Sequence, residues 1–213
     1  MAEGNRFSLG FWRYFTYYFH HYVYGKILTR AHMHSTTFKI CLLSIIATAF
    51  MSSPAYAVDG ISITGGNGGD AQMAALALQW NWQKRWFTDG DWSLGGYWEL
   101  DGSYWKGDGP KPKKDVYGIG FTPVFRFERN AVDNMSPYIE GGIGVHQFST
   151  TKIHGNKSMG TNFEFGDHVG LGLRFGDHLQ YDIGYRYQHY SNAGLSDDNG
   201  GVNFNEVSFK YKF

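Results

Sequence analysis

Residues 181–192 read Tyr181-Asp-Ile-Gly-Tyr-Arg-Tyr-Gln-His-Tyr-Ser-Asn192. Successive side chains of a strand point to opposite faces, so residues two apart share a face. The odd positions are Tyr181, Ile183, Tyr185, Tyr187, His189 and Ser191, an aromatic and apolar face that ends in an imidazole and a hydroxyl. The even positions, Asp182, Gly184, Arg186, Gln188 and Tyr190, carry the charges. A period of two this clean makes the segment a strand. It also puts a potential nucleophile and base on the greasy side.

The same alternation recurs along the chain. Segments with this pattern fall near 58–65, 72–86, 92–105, 115–128, 137–149, 161–175, 178–191 and 203–213. In the fourth, Tyr117, Ile119, Phe121, Phe125 and Phe127 oppose Gly118, Gly120, Thr122, Arg126 and Glu128. A soluble barrel of the lipocalin kind, the competing reading, would turn its apolar set inward. Here the polar set combines glycines with charges of both signs, which suits the crowded, ion-paired interior of a small barrel. The apolar set is rich in the bulky aromatics of a lipid-facing surface. The fold expected is therefore all-β, an eight-stranded antiparallel transmembrane β-barrel of the outer membrane. The last segment agrees, since Val207, Phe209, Tyr211 and Phe213 alternate with Glu206, Ser208, Lys210 and Lys212.

Such barrels keep short periplasmic turns and longer external loops. With a periplasmic N-terminus the external loops fall near 66–71, 106–114, 150–160 and 192–202, and the turns near 87–91, 129–136 and 176–177. His189 and Ser191 then lie at the external rim, facing lipid at outer-leaflet depth. The loop Lys106-Gly-Asp-Gly-Pro-Lys-Pro-Lys-Lys114 carries a basic cluster that suits either lipopolysaccharide phosphates or plain solvation.

The export signal lies upstream. From Met33 the chain has a short basic start, an apolar run from Ile40 to Met51, and the ending Ser-Ser-Pro-Ala55-Tyr-Ala57. This is the pattern of a secretory signal peptide over 33–57, cleaved after Ala57, and it is too short to span a bilayer permanently. Residues 1–32 precede a signal that is complete without them and read as a mis-called extension; an amphipathic membrane-surface segment is the rival account. The barrel is then residues 58–213. Cys41, the sole cysteine, lies in the segment to be removed, outside the context of a lipid-anchored cysteine. The mature chain therefore has neither disulfides nor thiol chemistry. Nineteen basic residues balance nineteen acidic ones, which leaves no electrostatic footprint for nucleic acid. The histidines show no metal-ligand spacing, and neither metal nor cofactor is expected.

An exposed imidazole and hydroxyl on an apolar band cost free energy unless they are interfacial or used. Same-face neighbours on a strand lie about 6.5–7 Å apart at Cα, a span these two side chains bridge. Serine needs such a base, because its own hydroxyl is a poor nucleophile near neutral pH. Acyl transfer also needs oxyanion donors, and the amide of Asn192, directly after the serine, is of the right type.

The stretches His189-Tyr-Ser-Asn-Ala-Gly-Leu195 and Asn199-Gly-Gly-Val-Asn203, with the aromatic closing strand, resemble the C-terminal signature of the lipid A 3-O-deacylase family. The resemblance implies an outer-membrane barrel, often a homodimer, acting on lipopolysaccharide among the outer-leaflet lipids. The reaction it implies is hydrolysis of the ester-linked acyl chain at position 3 of lipid A by a Ser-His-Glu triad on the outer surface. It assigns Ser191 as nucleophile, His189 as base and Asn192 as the oxyanion-stabilising residue. One position departs: the family's glutamate falls on Asn203. An asparagine orients an imidazole but adds no charge. Glu206 is near in sequence but has interior parity and needs a β-bulge to reach the histidine. That substitution keeps a second reading open, a non-catalytic small barrel with a structural, adhesive or lipopolysaccharide-binding role.

Overall fold

A computed structural model describes residues 57–213; the expected extension and signal peptide lie outside the described residues, apart from Ala57. Ten strands form, in chain order β1 (Gly60–Asn67), β2 (Ala71–Asn81), β3 (Trp92–Gly107), β4 (Asp115–Arg129), β5 (Met135–Phe148), β6 (Lys152–His154), β7 (Lys157–Ser158), β8 (Phe163–Phe175), β9 (Tyr181–Ser191) and β10 (Val202–Lys212). Eight close into an antiparallel barrel in the order β1-β10-β9-β8-β5-β4-β3-β2, and β6 and β7 make a separate hairpin. Closure joins the first and last strands, from Gly60 opposite Lys212 to Asn67 opposite Asn205. Closing leaves no strand edge with unpaired backbone groups, the condition for crossing lipid with strands. No helix among the described residues is long and apolar enough to cross a membrane.

The parity read from the sequence holds. Ile63, Leu76, Ile119, Val169, Leu171 and Val207 are among the large apolar side chains exposed on the outside. Inside, Arg126, Arg186 and Lys210 meet Glu99, Glu140 and Asp182. Arg186 reaches Glu99 at 2.7 Å and Glu140 at 2.8 Å. Arg126 reaches Glu140 and Asp182, each at 2.8 Å, and Lys210 reaches Glu140 at 3.2 Å. The Tyr97 hydroxyl donates to Glu140 at 3.0 Å and accepts from Arg186 at 2.7 Å. Opposite charges and a full set of hydrogen bonds are what make buried ions tolerable.

Two connections differ from expectation. β2 ends at Asn81 rather than at residue 86, because the aromatic alternation that continues through Trp82 and Trp86 is used at the rim. The Trp82 ring lies against Trp98 and Phe125, over Gly96, where a Cβ would come within 2.4 Å of it. Arg85 turns the other way, to Ser93 and Glu128 at 2.6 Å each. The second difference is the 150–160 connection, which is a built cap rather than a plain loop. Ile153 and Met159 of the β6–β7 region join Trp105, Phe148, Tyr190 and Phe204 in one buried apolar cluster. That cluster fills the end of the barrel at which β3, β5 and β9 finish.

Candidate active site

β9 runs between β8 and β10, and its last residues end beside the 192–201 connection. The register of β9 with β10 puts His189 directly opposite Asn203. Side chains so placed on one face of an antiparallel pair have Cβ atoms about 4.5–5.5 Å apart. Their side chains meet: His189 Nδ1 lies 2.6 Å from Asn203 Oδ1. An amide oxygen only accepts, so this bond puts the ring proton on Nδ1 and leaves the Nε2 lone pair available. Ser191 follows two residues on, half-buried, on the same face, opposite Phe165 of β8.

The ring is held on a second side. Gly201 has φ +49, and a Cβ there would stand 2.9 Å from His189 Cε1. Only a residue without a side chain lets this turn of backbone lie against the imidazole edge without strain. From β8, Asp167 stands opposite His189, in the position that Asn203 holds from β10. The outer face thus carries a contiguous polar patch of Asp167, His189, Ser191, Asn203 and Asn205 in an otherwise apolar band.

Asn192 is not part of that patch. Its side chain alternates inward and is fully buried. Both amide hydrogens are engaged, with Met159 O at 3.0 Å and Asp198 O at 2.8 Å, and its Oδ1 accepts from Gly194 N at 2.9 Å. Its own backbone N–H donates to Asn199 Oδ1 at 3.0 Å. In this arrangement the side chain has no N–H left for an oxyanion, and what it does is tie the 192–201 connection to the cap. Glu206 is buried inside the barrel, opposite Arg186, and faces away from His189.

Among the described residues no group of His, Cys, Asp and Glu is arranged to ligate a metal. His146 and His168 are interior, and His154 Nε2 lies 3.2 Å from Asp70 Oδ1. In the loop after β3, Lys113 donates to Asp108 at 2.9 Å and holds that carboxyl below its usual range.

Two residues of the site escaped the reading of the sequence. Asp167 was visible as a break in the apolar outward face of its strand. Gly201 carried no signal, because its role depends on where the loop returns.

The family described as "Lipid A 3-O-deacylase (PagL)" matches residues 72–212. The lipid A deacylase PagL of Pseudomonas aeruginosa is 34% identical over 171 residues, covering 80% of this chain and 95% of that protein. The PagL of Bordetella bronchiseptica is 33% identical over 188 residues, covering 83% and 94%. A crystal structure of the outer-membrane enzyme PagL superposes with a TM-score of 0.66 at 34% identity, covering 72% of this chain and 99% of that one. With the closed eight-stranded barrel, these matches show that the chain belongs to the lipid A 3-O-deacylase (PagL) family of outer-membrane enzymes.

Proposed function

We propose that this chain releases the 3-O-linked acyl chain of lipid A by nucleophilic catalysis, with Ser191 as nucleophile and His189 as its general base. Membership of the family makes it a lipid A deacylase, an ester hydrolase of the outer membrane. The observation that carries the mechanism is the His189–Asn203 hydrogen bond, which presents Nε2 as acceptor on the face that carries Ser191.

In the first half-reaction Ser191 Oγ attacks the ester carbonyl while its proton passes to His189 Nε2. The tetrahedral intermediate collapses, the ester C–O bond breaks, and the imidazolium returns the proton to the leaving alkoxide. Water then attacks the acyl-enzyme with His189 as base, releasing the fatty acid and restoring Ser191. Asn203 takes the orienting part of the acid position, fixing the tautomer through its carbonyl oxygen. Asn192 acts as a positioning residue, fixing the backbone directly after the nucleophile through its bonds to Met159, Asp198 and Gly194. The outward placement suits the substrate, whose acyl chains lie in the outer leaflet beside the apolar band.

The test is mass spectrometry of lipid A from cells expressing the native chain, Ser191→Ala or His189→Ala. The native chain should remove one 3-hydroxy fatty acid and the two variants none. Release at the native rate by Ser191→Ala would remove the nucleophile assignment.

A further inference from the structure

Asp167 is a charge on the outer face that neither the nucleophile nor its base explains. It stands between Phe165 and Val169 on the lipid-facing side of β8 and is exposed. Asp115 also faces outward but is the first residue of its strand; among the described residues Asp167 is the one acidic side chain on this face away from a strand end. A carboxylate within an apolar band is costly unless something uses it.

The register says what uses it. β8 places Asp167 opposite His189, and β10 places Asn203 opposite the same residue from the other side. The imidazole is therefore flanked by an amide on one neighbouring strand and a carboxylate on the other, each directly opposite it in register. The two flanks offer different things. Asn203 fixes the Nδ1–H tautomer at 2.6 Å but is neutral. When Ser191 attacks, the ring becomes an imidazolium beside lipid, where a positive charge is poorly solvated and a nearby negative one counts for more than in water.

We propose that Asp167 is the carboxylate of this relay: it stabilises the His189 imidazolium from β8, while Asn203 orients the ring from β10. Orientation and charge, usually joined in one acidic residue, are here divided between the two strands that flank the base. Asp167 acts through His189 and is a positioning residue. The inference rests on the reading of His189 as the general base.

The groups that face the ring limit how a pH profile is to be interpreted. From β8 the titratable neighbour is Asp167. On β9 it is Tyr187, two residues earlier on the same face. β10 contributes Asn203 and Asn205, neither of which titrates, and the loop that carries Gly201 holds Asp197 and Asp198.

The experiment measures kcat, KM and the pH–rate profile for fatty-acid release by the full chain in detergent–lipopolysaccharide micelles. The variants are Asp167→Asn, Asp167→Glu and Asp167→Asn with Asn203→Glu; Ser191→Ala and His189→Ala test the underlying reading in parallel. Asp167→Asn should lower kcat about ten- to a hundredfold with little change in KM. Without the carboxylate the imidazole holds its proton less tightly, so the acid limb of the profile should move to lower pH. Asp167→Glu should recover most of the rate. Asn203→Glu in the Asp167→Asn background should restore activity from the opposite strand, a rescue that a purely structural role of Asp167 cannot give. Should Asp167→Asn fail to assemble, Asp167→Ser is judged by the same criteria. An unchanged kcat and acid limb in a folded barrel, or no rescue by Asn203→Glu, overturns the proposal while an inactive Ser191→Ala leaves the Ser-His reading standing. A Ser191→Ala or His189→Ala variant at native rate overturns both.

Discussion

The ion-paired residues inside the barrel and the polar residues on its outer face obey opposite rules. Inside, Glu140 alone is met by Arg126, Arg186, Lys210 and Tyr97, and every charge of that network has a partner within 3.2 Å. Outside, the cluster of His189, Ser191, Asn203 and Asp167 is sparse, and its side chains meet in the hydrogen bond between His189 and Asn203. A saturated network has no capacity left for a substrate and serves to hold the fold. A sparse cluster in an apolar surrounding keeps lone pairs free, and free lone pairs are what a nucleophile and its base require. The contrast teaches where to look for chemistry in a barrel of this kind: at polar groups whose placement is costly and whose valences are left open.

The sharpest break of the comparison is at Ser191. Ser191→Ala removes the proposed nucleophile from a position on the outer face where a small residue fits, so deacylation should fall by about 10³-fold or more with the barrel intact. Rate is read by fatty-acid release and folding by the different gel migration of unheated and boiled samples. A loss of heat-modifiability would show that the outer cluster also holds the fold.

The interior should give the opposite result. Glu140→Ala leaves Arg126, Arg186 and Lys210 buried around an absent carboxylate. Removing one partner of a buried ion pair costs about 3–5 kcal/mol. The barrel should unfold at markedly lower urea concentration, while the rate per folded molecule stays near native. Retained stability would mean that the interior network does not carry the fold.

This division was partly legible in the sequence. Period-two alternation gave all eight barrel strands, because one face of each meets lipid and the other meets a charged interior. Parity also put His189 and Ser191 outside and Glu206 inside, and the family resemblance, supported by outward parity on the closing strand, brought Asn203 to the histidine. What was not legible depends on contacts distant in the chain. Trp82 and Trp86 continue the alternation of β2, yet they leave the strand because Gly96 offers the Trp82 ring a flat seat. Ile153 and Met159 look like loop residues until the hairpin folds them over Trp105. Asn192 has an amide of the right chemistry beside the serine, but the carbonyls of Met159 and Asp198 that engage it come from 33 and 6 residues away.

Asn192 links the two regions, and its removal should weaken the boundary between them. Asn192→Ala leaves two carbonyls and the Gly194 N–H without their partners, each at about 1–3 kcal/mol if no water replaces the bond. The 192–201 connection should become more open to protease and the rate should fall by about tenfold or more, with the barrel still heat-modifiable. Normal protease resistance together with a large loss of rate would assign Asn192 a direct part in the chemistry instead.

A smaller effect is expected at Gly201. Alanine at φ +49 costs roughly 1 kcal/mol, and its Cβ would press on His189 Cε1 at 2.9 Å. The ring must then shift against Asn203, and the rate should drop by roughly three- to tenfold with the urea midpoint almost unchanged. An equal fall in stability would mean that the glycine matters for the loop and not for the base.

The smallest effect is reserved for Glu206, the acid nearest to Asn203 in sequence. It is buried opposite Arg186 and its Oε1 has no hydrogen-bond partner, so a neutral amide of the same shape removes little from the interior. On the outer side it removes nothing, because the side chain and His189 are on opposite faces of the sheet. Glu206→Gln should therefore leave the deacylation rate within about twofold of native, measured beside Asn203→Ala in the same micelles. The pair tests the register itself. If Glu206→Gln silences a correctly folded barrel and Asn203→Ala does not, the carboxylate of Glu206 must reach His189. That requires β10 to pair with β9 three residues out of step, an odd shift that exchanges the two faces of the closing strand.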